Sequence, residues 1–479
     1  MSAFARALAD RNAAIPARPR RWAFVPYDQL SDQLGPLATL APADVGIVVV
    51  EAPAKAAKRP YHQQKLAFIL TNLRHFALEQ AARGVAVRHV VSPGSYADAL
   101  RPLAAELGPL TMMRAAEREL REDVRGVVDE GAVVVVDHDG WLTTTADFDG
   151  ASKSGAPPWR MDAFYRTVRR RTGVLMDGDK PKGGRFSFDG DNREPYRGTP
   201  PAPSPPRFDV DDVTAEVGDL LRARYAGHPG TLDLTTLPAT RSDAERQWQW
   251  ALSSCLTHFG PYEDAMSTGS SGLFHTRISA LMNVHRLLPK RVVDDVVAAA
   301  LPLASQEGFV RQVLGWREFV RHVHERTDGF RALPTGATHN AAPSVLGAHG
   351  PLPGAFWPGQ SSGLGCLDHV VDDVWREAYS HHITRLMVLG NLATLLDVEP
   401  RAITDWFWFA YVDAFDWVVE PNVLGMATFG AGDVMTTKPY VAGSAYIDRM
   451  SDYCDACAFD PKKSCPITSL YWAFLARHD

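Results

Sequence analysis

Short apolar runs alternate with amphipathic stretches over the first third of the chain, and after about residue 210 only amphipathic stretches continue. WAFV (22–25), GIVVV (46–50), VAVRHVV (85–91), TMMRA (111–115) and AVVVVD (132–137) have the length and β-branched content of buried strands. Between the second and third lies QKLAFILTNLRHFALEQAARG (64–84), whose apolar residues recur at helical spacing. Strand and helix in regular alternation predict a doubly wound parallel sheet. From RQWQWALSSCLTHF (246–259) through SALMNVHRLL (279–288), FVRQVLGWREFVRHV (309–323), VWREAYSHHITRLMVLGNLATLL (374–396) and WFWFAYVDAF (406–415) the period is helical throughout. The segment 141–208 breaks both rhythms with VRRRTG, GDKPKGGRFSFDGDNRE and TPPAPSPPRF. The pattern predicts α/β plus all-α architecture. Residues 1–20 form a frayed or helical extension running into PARPRR, 21–140 a doubly wound parallel-sheet domain, 141–208 a long, partly extended linker, and 209–479 an all-helical domain.

Length and composition fit that layout: 479 residues with 46% hydrophobic and 22% charged residues are enough for two or three domains. No apolar run approaches the ~20 residues of a membrane helix, and no signal peptide precedes the first strand. A cytoplasmic protein, monomeric and without a membrane partner, is expected. The formal net charge of −6 argues against indiscriminate nucleic-acid binding, yet leaves room for a local basic surface.

Only 5 cysteines occur, and Cys454, Cys457 and Cys465 crowd the last stretch, SDYCDACAFDPKKSCPITSLYWAFLARHD. Three thiols leave a disulfide framework one short, whereas a metal centre of four donors needs one more ligand from upstream. C-x2-C serves zinc and iron–sulfur clusters alike. Cys255 lies on the apolar stripe of ALSSCLTHF and is expected to be a buried free thiol.

Three motifs in order, QVLGWREFVR (312–321), HHITRLM (381–387) and YVDAFDW (411–417), resemble those of the photolyase and cryptochrome superfamily. The His pair, PNVLGMATF, KPYVAGSAYIDRMSDYC and the terminal cysteines are most similar to its bacterial iron–sulfur branch, whose characterised members repair (6-4) photoproducts. The resemblance implies an FAD-binding helical domain. It implies that Cys366 joins Cys454, Cys457 and Cys465 around a 4Fe-4S cluster, although C-x2-C-x7-C is shorter than the branch's loop. Ser270, Ser271 and Gly272 of STGSSGLFHTRIS, set before a helix, would cradle the FAD pyrophosphate. Arg385 and Asp413 would form the ion pair beside the flavin ring, with Trp316 and Asn391 on flavin-facing helices.

The same resemblance places His381 and His382 as proton source, Tyr440 and Tyr446 along the lesion pocket, and Glu318 as acceptor from a base edge. Adjacent histidines on a helix point to different faces, so one of the pair would face the lesion. Trp357 and Trp406 would carry electrons from the surface to the flavin, with Phe407 standing where the family has Tyr. Glu420 stands one residue beyond the family's flavin-facing acid. VPYDQLSDQLG and EAPAKAAKRPYHQQK follow the first two strands, where ligands of parallel sheets bind. The resemblance implies a lumazine-type antenna in that pocket, with Asp28, Gln29 and Glu51 as its polar contacts. Arg169, Arg170, Arg171, Lys180 and Lys182 could track a DNA backbone. The expected function is light-driven repair of (6-4) pyrimidine photoproducts in UV-damaged DNA; the alternative is a cryptochrome-like blue-light photoreceptor with little or no repair.

Overall fold

The computed structural model describes residues 2–15, 19, 21–152, 155–333, 336–337 and 341–478. Of the PARPRR segment, Pro16, Ala17, Arg18 and Arg20 lie outside the described residues.

All five predicted strands form, as β1 (Arg21–Phe24), β2 (Val45–Glu51), β3 (Ala86–Val91), β4 (Leu110–Met113) and β5 (Val133–Val136). They make one parallel sheet in the order β3-β2-β1-β4-β5. Every residue of β2 is buried, as expected of an inner strand covered on both faces. Strand order reverses at β1, so the crevice between the carboxyl ends of β1 and β4 is the position where such sheets take ligands. Gln29, just past β1, donates Nε2–H to the Met113 carbonyl at the end of β4 at 3.0 Å.

The leading residues are helical rather than frayed. Helix Ala3–Ala13 buries Phe4 and Leu8; Phe4 meets His89 edge-on at 4.8 Å and carries the Arg74 guanidinium over its ring. Helix Gln63–Ala82 is the predicted amphipathic segment, and it is buried on most sides. Residues 1–141, 206–248 and 278–290 make one compact unit around the sheet, and residues 142–205, 249–277 and 291–479 make a second.

The second unit is helical apart from two-residue strand pairs at Met176–Asp177 with Lys180–Pro181 and Ala332–Leu333 with Gly336–Ala337. Helices Thr145–Gly150 and Met161–Thr172 lie within the stretch expected to be partly extended. Several long helices here contain wider i→i+5 turns, at Ala251–Cys255, Arg311–Arg317, Arg385–Gly390 and Glu420–Ala427. Such turns are uncommon and recur at functional sites. Among the described residues no helix is long and apolar enough to cross a membrane.

Candidate functional site

Helix Gly365–Glu377 stops at Ala378, whose left-handed conformation (φ 52°) turns the chain sharply. The turn delivers Tyr379, Ser380 and the histidine pair to the start of the next helix. His381 is the N-cap, with extended backbone, and His382 is the first helical residue. Their rings therefore part: His381 is 3% exposed, whereas the His382 side chain is 40% exposed. A third imidazole, His275, stacks face to face on His381 (centroids 4.5 Å apart, 10° between planes) and meets His382 edge-on at 5.2 Å. Burial, then the neighbouring imidazoles, hold the pKa of His275 and His381 well below the ordinary value. The Asp264 carboxylate lies 3.6 Å from His382 Nε2 and 3.7 Å from Arg193 Nε.

Tyr446 borders this group. Burial first, then the Asp264 carboxylate, pushes its phenol above the ordinary value, and Arg193 and Arg449 pull against them. Asn391, expected to face the flavin, pairs both ends of its amide with the Ala442 backbone at 3.0 and 2.9 Å. It anchors the KPYVAG segment that carries Tyr440.

Behind the histidines, Arg385 forks the Asp413 carboxylate at 3.0 and 3.1 Å and donates Nε–H to the Ser380 carbonyl at 2.8 Å. Its guanidinium lies 4.0 Å from the centre of the Tyr411 ring, and the Tyr411 hydroxyl hydrogen-bonds Ser380 Oγ at 2.8 Å. Three of the five N–H groups of Arg385 are thus used among the described residues, leaving two for an acceptor edge. Ser271 donates to Glu377 at 2.9 Å and accepts from Arg277 at 2.5 Å, and Arg277 also pairs Glu377 at 2.7 Å. No helix begins directly at Gly272; the helix that follows the segment is Ser279–Asn283. The segment is a set of turns in which Leu273 and Arg277 take positive φ, and Ser270 Oγ accepts from the Leu273 amide. A Cβ at Gly272 would stand 3.0 Å from Arg277 Nε, so glycine admits that cation. A fixed cation–carboxylate pair, a second guanidinium and free N–H groups fit the polar edges and phosphates of FAD. Ser271, Arg277, Arg385 and Asp413 are the residues that would hold it.

Aromatic rings lead away from this ion pair. Tyr411 stacks on Phe407 (5.2 Å, 8°) and meets Trp406 edge-on at 6.0 Å. Fully buried Trp406 meets Trp375 at 5.9 Å, and Trp375 stacks on half-buried Trp357 at 5.8 Å and 15°. Trp375 and Tyr411, which sequence reasoning left without a role, join the two expected tryptophans to Arg385.

None of the five cysteines forms a disulfide. Cys255 is buried, and burial pushes its thiol up to about 12. Cys366 is also pushed up to about 12, first by burial and then by the charges of Cys454, Cys465 and Cys457. The Gly365 amide donates to Cys457 Sγ at 3.4 Å, and a Cβ there would stand 3.0 Å from the Tyr453 carbonyl. Four cysteines that influence one another's charge, with an amide-to-sulfur hydrogen bond beside Cys366, are a donor set that fits a thiolate-ligated metal centre.

Other expected site residues have different work. Glu318 is 0% exposed and accepts from the Leu142 and Thr143 amides at 3.1 Å each and from Thr143 Oγ1 at 2.7 Å, so its carboxylate faces protein and not a base edge. Glu51 is buried between Arg74 (2.7 and 3.1 Å) and His89 (3.0 Å). Desolvation alone would raise its pKa; hydrogen bonds from His89 and Arg74 outweigh it and bring the value to about 2. An internal ion pair therefore replaces the expected antenna contact. Asp28 and Gln29 are buried beside the sheet crevice, with the Asp28 carbonyl accepting from His285 Nδ1 at 2.7 Å. Glu420 is buried against His324 (3.0 Å) and Arg401 (2.8 Å). Trp316 is half-buried and meets Phe319 edge-on. The basic run does not present a row of free cations: Arg169 is buried and donates to three backbone carbonyls, Arg170 covers Phe186, and Arg171 pairs Asp147.

A family model for deoxyribodipyrimidine photo-lyase-related proteins matches residues 23–236. The chain is 34% identical to a (6-4) photolyase of Agrobacterium fabrum over 469 residues, covering 94% of this chain and 90% of that protein. It belongs to the photolyase and cryptochrome superfamily. Its fold is similar to that of a bacterial class III photolyase from Agrobacterium tumefaciens (TM-score 0.59, 15% identity, 91% of this chain and 85% of that one). It is equally similar to a Synechocystis cryptochrome (TM-score 0.60, 14% identity, 91% and 87%).

Proposed function

We propose that this protein is a (6-4) photolyase in which His382 supplies the proton. The observation that carries the reading is the unequal setting of the two adjacent histidines. A proton donor must be able to hold the proton and to reach the lesion. His382 has an exposed edge and a carboxylate 3.6 Å away to balance its charge. His381 is buried and held neutral, stacked under His275. Tyr440 and Tyr446 both lie within reach of the Arg193 charge, and Tyr446 also of the Asp264 carboxylate that faces His382. Arg449 stands exposed over Tyr446 and exposed Arg197 reaches the Arg449 backbone carbonyl, so both can meet phosphates of damaged DNA.

Reduced FAD, when bound, supplies an electron on excitation. This chain's part is to fix the cofactor's charge environment with Arg385 and Asp413, exclude water with Tyr379 and Tyr411, and hold the proton at His382 Nε2. Cys366, Cys454, Cys457 and Cys465 would carry a 4Fe-4S cluster. A lumazine-type antenna would lie at the carboxyl ends of β1 and β4 near Asp28 and Gln29.

The test is (6-4) repair by His382→Asn and His381→Asn with FAD content measured in each. Loss of a positioned proton donor costs ~10² to 10⁴ in rate, and that loss is expected in His382→Asn with FAD retained. Loss confined to His381→Asn would reverse the assignment. A parent protein that binds FAD, responds to light and repairs nothing would be a photoreceptor instead.

A further inference from the structure

Ligating nitrogens of His275, His381 and His382 all lie within 4.8 Å of one another, and this set comes from two separate chain segments. Two of the rings are more than nine-tenths buried, His275 at 8% and His381 at 3% exposure. His275 Nε2 and His381 Nδ1 have no hydrogen-bond partner in the structure. A buried imidazole nitrogen without a partner is costly, and such atoms usually face something that completes them.

We propose that His275, His381 and His382 form a binding site for a borderline divalent transition-metal ion, for which Zn²⁺ is the natural probe. Neutral imidazole is the form that binds such ions, and three histidines with one open position are an established donor set for zinc. Zinc-bound nitrogens stand about 2.0–2.1 Å from the metal. A ring nitrogen binds a metal in the plane of its ring, so binding requires the face-to-face stack of His275 on His381 to open by side-chain rotation. Local charge permits a cation: Arg385 is neutralised by Asp413 and Arg277 by Glu377, while Asp264 lies 3.6 Å from His382 and can take the fourth position. Oxygen-seeking Mg²⁺ should not compete, because three nitrogen donors suit the softer ion.

Whether zinc binds here is independent of the repair reading. What bound zinc would do rests on it: an ion on His382 occupies the nitrogen that must carry the proton.

Full-length protein with its native cofactors is dialysed against Zn²⁺, zinc and iron per chain are counted, and the zinc absorption edge is read for its nearest shell. One zinc per chain is expected, in a nitrogen and oxygen shell at about 2.0–2.1 Å, unmoved by excess Mg²⁺. His382→Gln, at a half-exposed position that tolerates change, and His275→Phe, which keeps a ring on His381, should each weaken binding at least about 100-fold, since even outer contacts to a metal site are worth 10- to 100-fold. A sulfur shell at about 2.3 Å would place the zinc on the cysteines and overturn the proposal. So would the absence of bound zinc, or affinity unchanged in both variants. With binding established, repair by zinc-loaded parent is measured separately. Repair undiminished by zinc would count against His382 as proton donor and leave the metal site standing.

Discussion

Lowering the pH should destabilise the helical unit well above the range in which carboxylates titrate. His275, His322 and His381 all have depressed pKa values, His322 to about 2, with burial the largest cause in each. His322 shows why: its Nε2 lies 2.9 Å from an Arg321 N–H donor and 2.9 Å from Thr143 Oγ1, and its ring stacks on Phe148. The fold thus binds the neutral ring, while the unfolded chain takes a proton near the ordinary value of about 6.5. Stability from such a group is complete above that value and is lost as pH falls below it, since the unfolded state then binds more protons. At pH 5.5 His322 alone costs about 1.4 kcal/mol, and His275 and His381 act in the same direction, against a typical total of about 5–15 kcal/mol. Glu307 and Asp373, raised by burial, work the other way and reduce the net loss. The cleaner quantity is a difference: His322→Gln should flatten the profile by about 1.4 kcal/mol between pH 7.5 and 5.5. Urea midpoints of zinc-free protein, read by far-UV circular dichroism across that interval, provide the assay. Parallel profiles for parent and His322→Gln would refute the reasoning. Glu51 and Glu119, held at about 2, contribute only at lower pH and do not obscure the window.

Purified protein should carry about four irons per chain with inorganic sulfide, and Cys454→Ala should cost soluble protein, because metal binding and folding of the last segment are coupled. Zinc without iron on the cysteines would contradict the cluster. Light-driven reduction of bound FAD should slow in Trp375→Phe and Trp406→Phe but not in Trp408→Phe, whose ring lies instead beside Arg401; the reverse order would remove the Trp357–Trp375–Trp406 path. Glu318→Ala should cost about 3 kcal/mol or more by stranding the Leu142 and Thr143 amides, while repair per folded molecule persists. A folded Glu318→Ala protein that no longer repairs would restore a role for this residue in the lesion pocket.

What was legible in the sequence was whatever leaves a local trace. The strands announce themselves as short continuous β-branched runs and the long amphipathic helix by its 3.6 period, and the motif order pointed to the family before any geometry. The Arg385 and Asp413 pair and the influence of the terminal trio on Cys366 follow the same motifs. His275 was missed because it sits in an irregular loop; its only trace was the HTR inside the Ser/Gly segment. Trp375 hid on an apolar helix stripe, where a tryptophan looks like core. Partners of buried carboxylates are a tertiary property. Nothing local says that Glu51 will find Arg74 and His89, or that Glu318 will find two amides more than 170 residues upstream. Arg169 misled for a similar reason: a cation in a basic run looks solvated until its hydrogen-bonded carbonyls are seen.

The most direct test of the central claim is product formation from an oligonucleotide duplex bearing one (6-4) photoproduct, incubated with chemically reduced protein under blue light. The account predicts restored, unlinked pyrimidines in the light, none in the dark, and a rate ~10² to 10⁴ lower in His382→Asn at equal FAD occupancy. Repair of cyclobutane dimers alone, or an equal rate in His382→Asn, would contradict it.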